Sequence, residues 1–216
     1  MAVYYFFSGF DKDKGFSPEI GQSLRECITA RKSLLFIASS PSAHEKTDFY
    51  INITINLFRN IGVEFENYDV LDDRKPKTEY AELLKNACAV FLCGGTTLLQ
   101  IDFLRKNDLI PLLKQSGGVI MGVSAGAINM AVTSFYSADK DHGQTHTYEG
   151  IGLADISVEP HFSIENTVLL EKELLPFSEK TDIYAMCDGS AIKVCDGKRE
   201  YFGDIYLISK GNVKQL

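Results

Sequence analysis

Ser124 lies between two glycines in Gly122-Val123-Ser124-Ala125-Gly126-Ala127, with a short apolar run (117–121) before it and a helix-like run (127–132) after it. This is the nucleophile-elbow pattern, a sharp strand-to-helix turn that exposes a serine hydroxyl at the edge of a sheet. The residue types follow from the turn. A strained backbone at the serine requires small neighbours two positions to either side. The free N–H groups of the first helical turn, and the positive end of the helix dipole, suit an oxyanion. The chemistry implied is attack of a serine oxygen on an acyl carbon.

A serine hydroxyl at neutral pH needs a base to take its proton, most often histidine. Of the four histidines, His161 stands out. It follows a short apolar run in Val158-Glu159-Pro160-His161-Phe162-Ser163 and precedes a helix-like one, and functional residues of open α/β sheets gather where strands give way to loops. His44 follows Ser39-Ser40-Pro41-Ser42-Ala43 at another strand end and reads as a solvated loop residue. His142 and His146 share a polar loop with Gly143. No H-E-x-x-H glutamate accompanies them, so neither a metal nor another cofactor is expected.

A carboxylate must fix the imidazole tautomer and stabilise the imidazolium. Asp188 ends the apolar run 183–187 and is one candidate, although Asp188-Gly189 also reads as a hairpin turn; Asp139, Asp141 and Glu159 are rivals. With Asp188 the order along the chain is serine, histidine, acid, which departs from the α/β-hydrolase order. A second oxyanion donor should come from a turn of small residues at a neighbouring strand end, and Cys93-Gly94-Gly95-Thr96 fits. Neither G-x-G-x-x-G nor a phosphate-loop lysine is present to make it a nucleotide site.

These groups need a scaffold, and the chain supplies alternating elements. Strands are expected at 3–7, 33–38, 63–68, 89–93 and 118–121, with helices at 18–30, 45–60, 78–86, 98–106 and 108–115 between them. Such alternation implies right-handed crossovers and a parallel sheet covered on both faces, which also explains the near-continuous apolar strands. After about residue 133 the segments shorten (156–158, 183–187, 191–195, 201–207), and Asp188-Gly189, Asp196-Gly197 and Gly203-Asp204 punctuate them as turns. One helix remains over 164–174, with Pro176 expected to stop it. No linker or repeat interrupts the 216 residues, so a single α/β domain over 1–216 with an antiparallel C-terminal section is expected.

The charge balance narrows the partners. A formal net charge of −7 argues against nucleic acid and anionic membrane surfaces. No apolar run is long enough to span a bilayer. Five cysteines without a C-x-x-C pair suggest neither a zinc ribbon nor a redox motif. A cytoplasmic protein is the expectation.

Four segments taken together, Phe91-Leu92-Cys93-Gly94-Gly95-Thr96, Gly122 to Ala127, Glu159-Pro160-His161-Phe162 and Met186-Cys187-Asp188-Gly189-Ser190-Ala191, resemble the dipeptidase E and cyanophycinase family of serine peptidases over nearly the whole chain. The resemblance implies a three-layer sandwich like that of class I glutamine amidotransferases, with a mostly parallel sheet. It implies Ser124 as nucleophile, His161 as general base, and an oxyanion hole from Gly94, Gly95 and the Ala125 N–H. Asp188 matches the family's acidic residue before glycine, a glutamate in dipeptidase E, and Asp139 falls where a charge-relay aspartate is sometimes placed.

Two departures bear on the substrate. Thr96 stands where dipeptidase E has asparagine. The arginine that dipeptidase E uses to read an N-terminal aspartate has no counterpart in 164–181, which offers only Lys172 and Lys180. The resemblance therefore implies hydrolysis of short peptides through an acyl-enzyme, without carrying over aspartyl specificity. An esterase or amidase acting on a small metabolite, and an amidotransferase-like binding domain without catalysis, remain the alternatives. Monomer and homodimer are both open.

Overall fold

The structure, a computed structural model, describes residues 2–10, 15–138 and 145–216. Its first half alternates β1 (Ala2–Phe7), α1 (Pro18–Cys27), β2 (Ser33–Ile37), α2 (His44–Asn60), β3 (Asn67–Leu71), α3 (Lys77–Asn86), β4 (Ala89–Leu92), α4 (Thr97–Lys106), α5 (Leu109–Gln115), β5 (Gly118–Val123) and α6 (Ala125–Met130). The second half is richer in strands: β6 (Thr133–Tyr136), β7 (His146–Glu149), β8 (Ser157–Pro160), β9 (Ile183–Met186), β10 (Ala191–Cys195), β11 (Lys198–Phe202), β12 (Ile205–Ser209) and β13 (Asn212–Gln215).

Seven strands form the main sheet in the order β11-β10-β1-β5-β4-β2-β3. From β1 to β3 the neighbours are parallel, and β10 and β11 add an antiparallel edge. Burial on both faces explains the apolar strands. Leu34 and Phe36 of β2 join Phe7, Phe91 and Met121 in a core closed by Ile20 and Leu24 of α1 and Ile55 and Phe58 of α2. Leu35 and Ile37 point the other way, to a core shared with α3, α4, α5 and α6 through Leu84, Leu104, Leu113 and Ile128. Successive side chains thus enter different cores, as a period of two requires. The result is an α/β sandwich of three layers.

A four-stranded sheet, β13-β12-β9-β8, stands beside it, with β8 and β9 parallel and the others antiparallel. Val158, Tyr184, Met186 and Ile205 face the second of those cores, and Ile183, Ala185 and Ile208 pack with Phe162, Leu169 and Leu174 beneath the helix over 167–178. β6 and β7 form a separate antiparallel pair.

Several elements differ from the sequence expectation. The third strand lies at Asn67–Leu71, not 63–68. Val63 and Phe65 are buried, so the apolar signal marked core contact, while pairing with β2 begins only at Asn67. The expected strand over 201–207 breaks at Gly203, sending β11 to one sheet and β12 to the other. Asp188-Gly189 likewise leads from one sheet to the other and closes no hairpin, whereas Asp196-Gly197 does, joining Cys195 to Lys198 with both turn residues at positive φ. Pro176 does not stop the last helix. The residues Leu170–Leu174 are π-helical, and α-helical turns flank them at Thr167–Leu169 and Leu175–Ser178. The Leu175 N–H reaches back to the Leu170 carbonyl, and this widened turn accommodates a residue that has no N–H to give.

Candidate active site

β5 ends at Val123, and its continuation is the turn that Ser124 makes. Ser124 has φ 51° and ψ −110°, a region costly to a residue with a side chain. Two backbone bonds hold it there: its N–H donates to the Phe7 carbonyl at 3.0 Å, and its carbonyl accepts from Ile128 N at 3.0 Å. The glycines flanking the turn are needed for contact. A Cβ on Gly126 would sit 2.2 Å from the Leu92 carbonyl oxygen, so only glycine lets α6 start against β4. The N–H of Ala125, in the first turn of α6, has no backbone acceptor among the described residues.

His161 follows β8 and meets Ser124 across the ends of the two sheets. Its Nε2 lies 2.9 Å from Ser124 Oγ, and its Nδ1 lies 2.7 Å from Asp188 Oδ1. A carboxylate oxygen only accepts, so Nδ1 carries the proton and the Nε2 lone pair faces the serine hydroxyl. The side chains of His161 and Asp188 are 42% and 58% exposed. Asp188 is carried two residues beyond β9, and the parallel pairing of Pro160 with Met186 brings the two chain ends together. The structure therefore joins Ser124, His161 and Asp188 in one hydrogen-bonded chain.

The turn after β4 lies alongside. Gly94 is close enough to the elbow that a Cβ on it would be 3.5 Å from Ser124 Cβ. Gly95 has φ +135°, and a Cβ there would strike Ser39 Oγ at 2.3 Å. Ser39 in turn donates to the Gly94 carbonyl at 2.7 Å. That bond directs the Gly94 carbonyl toward Ser39, and the N–H groups of Gly94 and Gly95 have no backbone acceptor among the described residues. Burial pushes the thiol of Cys93, just before this turn, up to about 12. Burial also raises that of Cys187, beside Asp188. Neither supplies a thiolate to compete with Ser124.

The other candidates lie elsewhere. Asp139, Asp141 and His142 are outside the described residues. Glu159 is fully buried and accepts from Ser137 Oγ at 3.0 Å. His146 is in β7 against the ring of Tyr136. His44 begins α2 and pairs with Asp73 at 2.5 Å. Together with Asp72 these two bring ligand atoms within 4.8 Å of one another, but both oxygens of buried Asp72 are engaged by the Arg74 guanidinium, which also bridges to Asp48. The cluster reads as an ion-pair network. Lys172 is exposed on the last helix. Lys180 lines a cleft with Thr133, Asp155 and Arg199, at the ends of β8 and β9 remote from His161.

Ser8 and Gly9 carry no residue type that marks them for chemistry. They follow β1, whose last residue Phe7 pairs with Val123. Ser8 is fully buried, and its hydroxyl touches the groups that hold His161 and Asp188. A Cβ on Gly9 would lie 2.5 Å from Asp188 Oδ1 and 2.9 Å from His161 Cε1. The available signal was position: a small polar residue and a glycine at the carboxyl end of a parallel strand.

The hydrogen-bonded chain has the geometry that acyl transfer requires, and comparison with known proteins bears on the family and the fold. The model of peptidase family S51 matches residues 7–201. No curated protein sequence matches the chain. Among solved structures, the chain is similar to a peptidase from an acI-B1 actinobacterium, with a TM-score of 0.74 and 20% identity, covering 100% of this chain and 94% of that one. It is also similar to a candidate peptidase E protein from Listeria monocytogenes EGD-e, with a TM-score of 0.68 and 20% identity, covering 94% and 98% of the two chains. At this identity the structures speak for the fold.

Proposed function

Because the chain belongs to peptidase family S51, the dipeptidase E family, we propose that it hydrolyses short peptides by a serine mechanism, with Ser124 as nucleophile, His161 as general base and Asp188 as the orienting acid. The observation that carries this reading is the chain of hydrogen bonds from Asp188 through His161 to Ser124, at 2.7 and 2.9 Å.

The chemistry follows from those atoms. His161 Nε2 takes the hydroxyl proton as Ser124 Oγ bonds to the peptide carbonyl carbon, and the imidazolium so formed is stabilised by Asp188 at Nδ1. The carbonyl oxygen becomes an oxyanion, for which the unengaged N–H groups of the Gly94-Gly95 turn and of Ala125 are the donors. His161 returns the proton to the leaving nitrogen, and the C–N bond breaks to leave an acyl-Ser124 ester. Water then attacks this ester while His161 takes its proton, and the carboxylic acid product leaves as Ser124 is regenerated.

The participating groups come from the ends of β4, β5, β8 and β9, in two sheets whose strands run from Ala2 to Gln215. That spread supports treating residues 1–216 as one catalytic unit. All five cysteines are free, which suits a reducing cytoplasmic compartment. Among the described residues no helix is long and apolar enough to cross a membrane.

The test is covalent labelling with a fluorophosphonate, read by intact mass, on the wild type, Ser124→Ala and His161→Ala. One adduct on the wild type and none on either variant is expected. Absence of the adduct on the wild type, where a control serine hydrolase labels, together with no cleavage of a short-peptide library, would remove the serine mechanism.

A further inference from the structure

The acid–base pair has an unusual weakness. The side chains of His161 and Asp188 are 42% and 58% exposed, and an ion pair in such a setting is held loosely, since water competes for both partners and each side chain keeps its rotamer freedom. A general base must nonetheless be held within a fraction of an ångström of its nucleophile. His161 adds a second demand: its φ is +58°, a left-handed conformation uncommon for any residue but glycine.

One buried side chain bonds directly to that backbone, beside the Phe162 N–H that donates to the Met186 carbonyl at 3.0 Å. The His161 N–H donates to Ser8 Oγ at 2.7 Å. The Ser8 hydroxyl has one proton, and two acceptors face it, the Met186 carbonyl at 2.9 Å and Asp188 Oδ1 at 3.1 Å. The latter is the same oxygen that receives His161 Nδ1–H. Ser8 is fully buried, so its hydroxyl meets these partners from the protected side of the pair. The main chain around it adds two more ties to the Asp188 turn: Ser8 N–H to the Ser190 carbonyl at 3.3 Å, and Gly189 N–H to the Gly9 carbonyl at 2.8 Å. One buried hydroxyl thus links the ends of β1, β8 and β9.

We infer that Ser8 is a positioning residue of this site: its buried hydroxyl fixes the left-handed backbone of His161 and the Asp188 carboxylate, and so holds an exposed acid–base pair in register with Ser124. The inference rests on the serine mechanism proposed above. The competing role is structural, in which Ser8 only satisfies the Met186 carbonyl and fills its space. The two differ in coupling. A residue that acts through Asp188 and His161 matters only while that pair is intact, whereas a structural residue costs the same with or without it.

The experiment measures the second-order rate of fluorophosphonate labelling at Ser124, together with the melting temperature, for the wild type, Ser8→Ala, Ser8→Cys, Asp188→Asn and Ser8→Ala/Asp188→Asn. Ser8→Ala should label about 10- to 100-fold more slowly than the wild type, yet alter the rate by less than about threefold in the Asp188→Asn background. Ser8→Cys leaves no cavity, the thiol being somewhat larger than the hydroxyl, but offers only a weak donor, and it should also label slowly, which covers the case of an alanine variant too unstable to measure. Equal slowing by Ser8→Ala in both backgrounds, or a Ser8→Cys rate equal to that of the wild type, would overturn the role given to Ser8. A wild type that never labels, beside a control hydrolase that does, would overturn the serine mechanism and this role with it. A labelled wild type with an unaffected Ser8→Ala would overturn the role alone.

Discussion

Replacing Gly9 by alanine should separate activity from stability at a residue that takes no part in the chemistry. The added Cβ would stand 2.5 Å from Asp188 Oδ1 and 2.9 Å from His161 Cε1, where ordinary contacts begin at 3.4 Å. The carboxylate oxygen must therefore retreat by about 0.9 Å. A retreat of that size along the 2.7 Å bond to His161 Nδ1 stretches it to about 3.6 Å, outside hydrogen-bond range. Misplacing a catalytic group by about 1 Å costs on the order of 100-fold, and losing the orienting acid altogether about 10,000-fold. The labelling rate of Ser124 should fall within those limits.

Stability should hardly change with it. The clashing atoms are the ends of exposed side chains that can turn into solvent, and the pair they form contributes about 0–1 kcal/mol. Gly9 has no positive φ, so alanine adopts its backbone conformation and recovers about 0.4–1 kcal/mol through the unfolded chain. The melting temperature should stay within about 4 °C of the wild type. The measurement is a fluorophosphonate time course beside a thermal melt. Labelling at the wild-type rate would show that Asp188 does not need the position it occupies; loss of labelling only with a large fall in melting temperature would show that the clash is absorbed by the fold instead.

Two further outcomes follow from the elbow and its surroundings. Ser124 at φ 51° and ψ −110° stores backbone strain that alanine keeps and glycine relieves, so Ser124→Gly should be more stable than Ser124→Ala by about 1 kcal/mol in urea unfolding, with neither protein labelled; a glycine variant no more stable than the alanine one would remove the strain argument. Cys93 concerns alkaline stability. Its folded thiol is pushed up to about 12 by burial, from an ordinary value of 9.0. The stabilisation from the protonated thiol is complete below that ordinary value and is lost as pH rises above it, because the unfolded chain ionises first. Between about pH 7 and about pH 10 the wild type should lose more stability than Cys93→Ala, on the order of 1 kcal/mol, and parallel pH profiles for the two proteins would contradict this.

The sequence by itself determined the sheet and the elbow, because the physics of both is local. Leu34-Leu35-Phe36-Ile37 is short, apolar throughout and flanked by helical runs, the pattern of a strand buried on both faces of a covered parallel sheet. Gly122 and Gly126 around Ser124 describe a turn with no room for a side chain, and the close approach of Gly126 to Leu92 is the reason. Cores and turns are written in residue type and spacing. Other features depend on partners far along the chain. Asp188-Gly189 has the local signature of a hairpin, yet its strands belong to different sheets, and that crossing carries Asp188 to His161. The third strand begins where β2 offers hydrogen bonds, not where the apolar residues start. Ser8 carries only a positional mark: a serine after a parallel strand is ordinary until the end of β8 brings His161, 153 residues later, within 2.7 Å of its hydroxyl. Such roles are set by contacts of high sequence separation, and only the closed tertiary structure decides them.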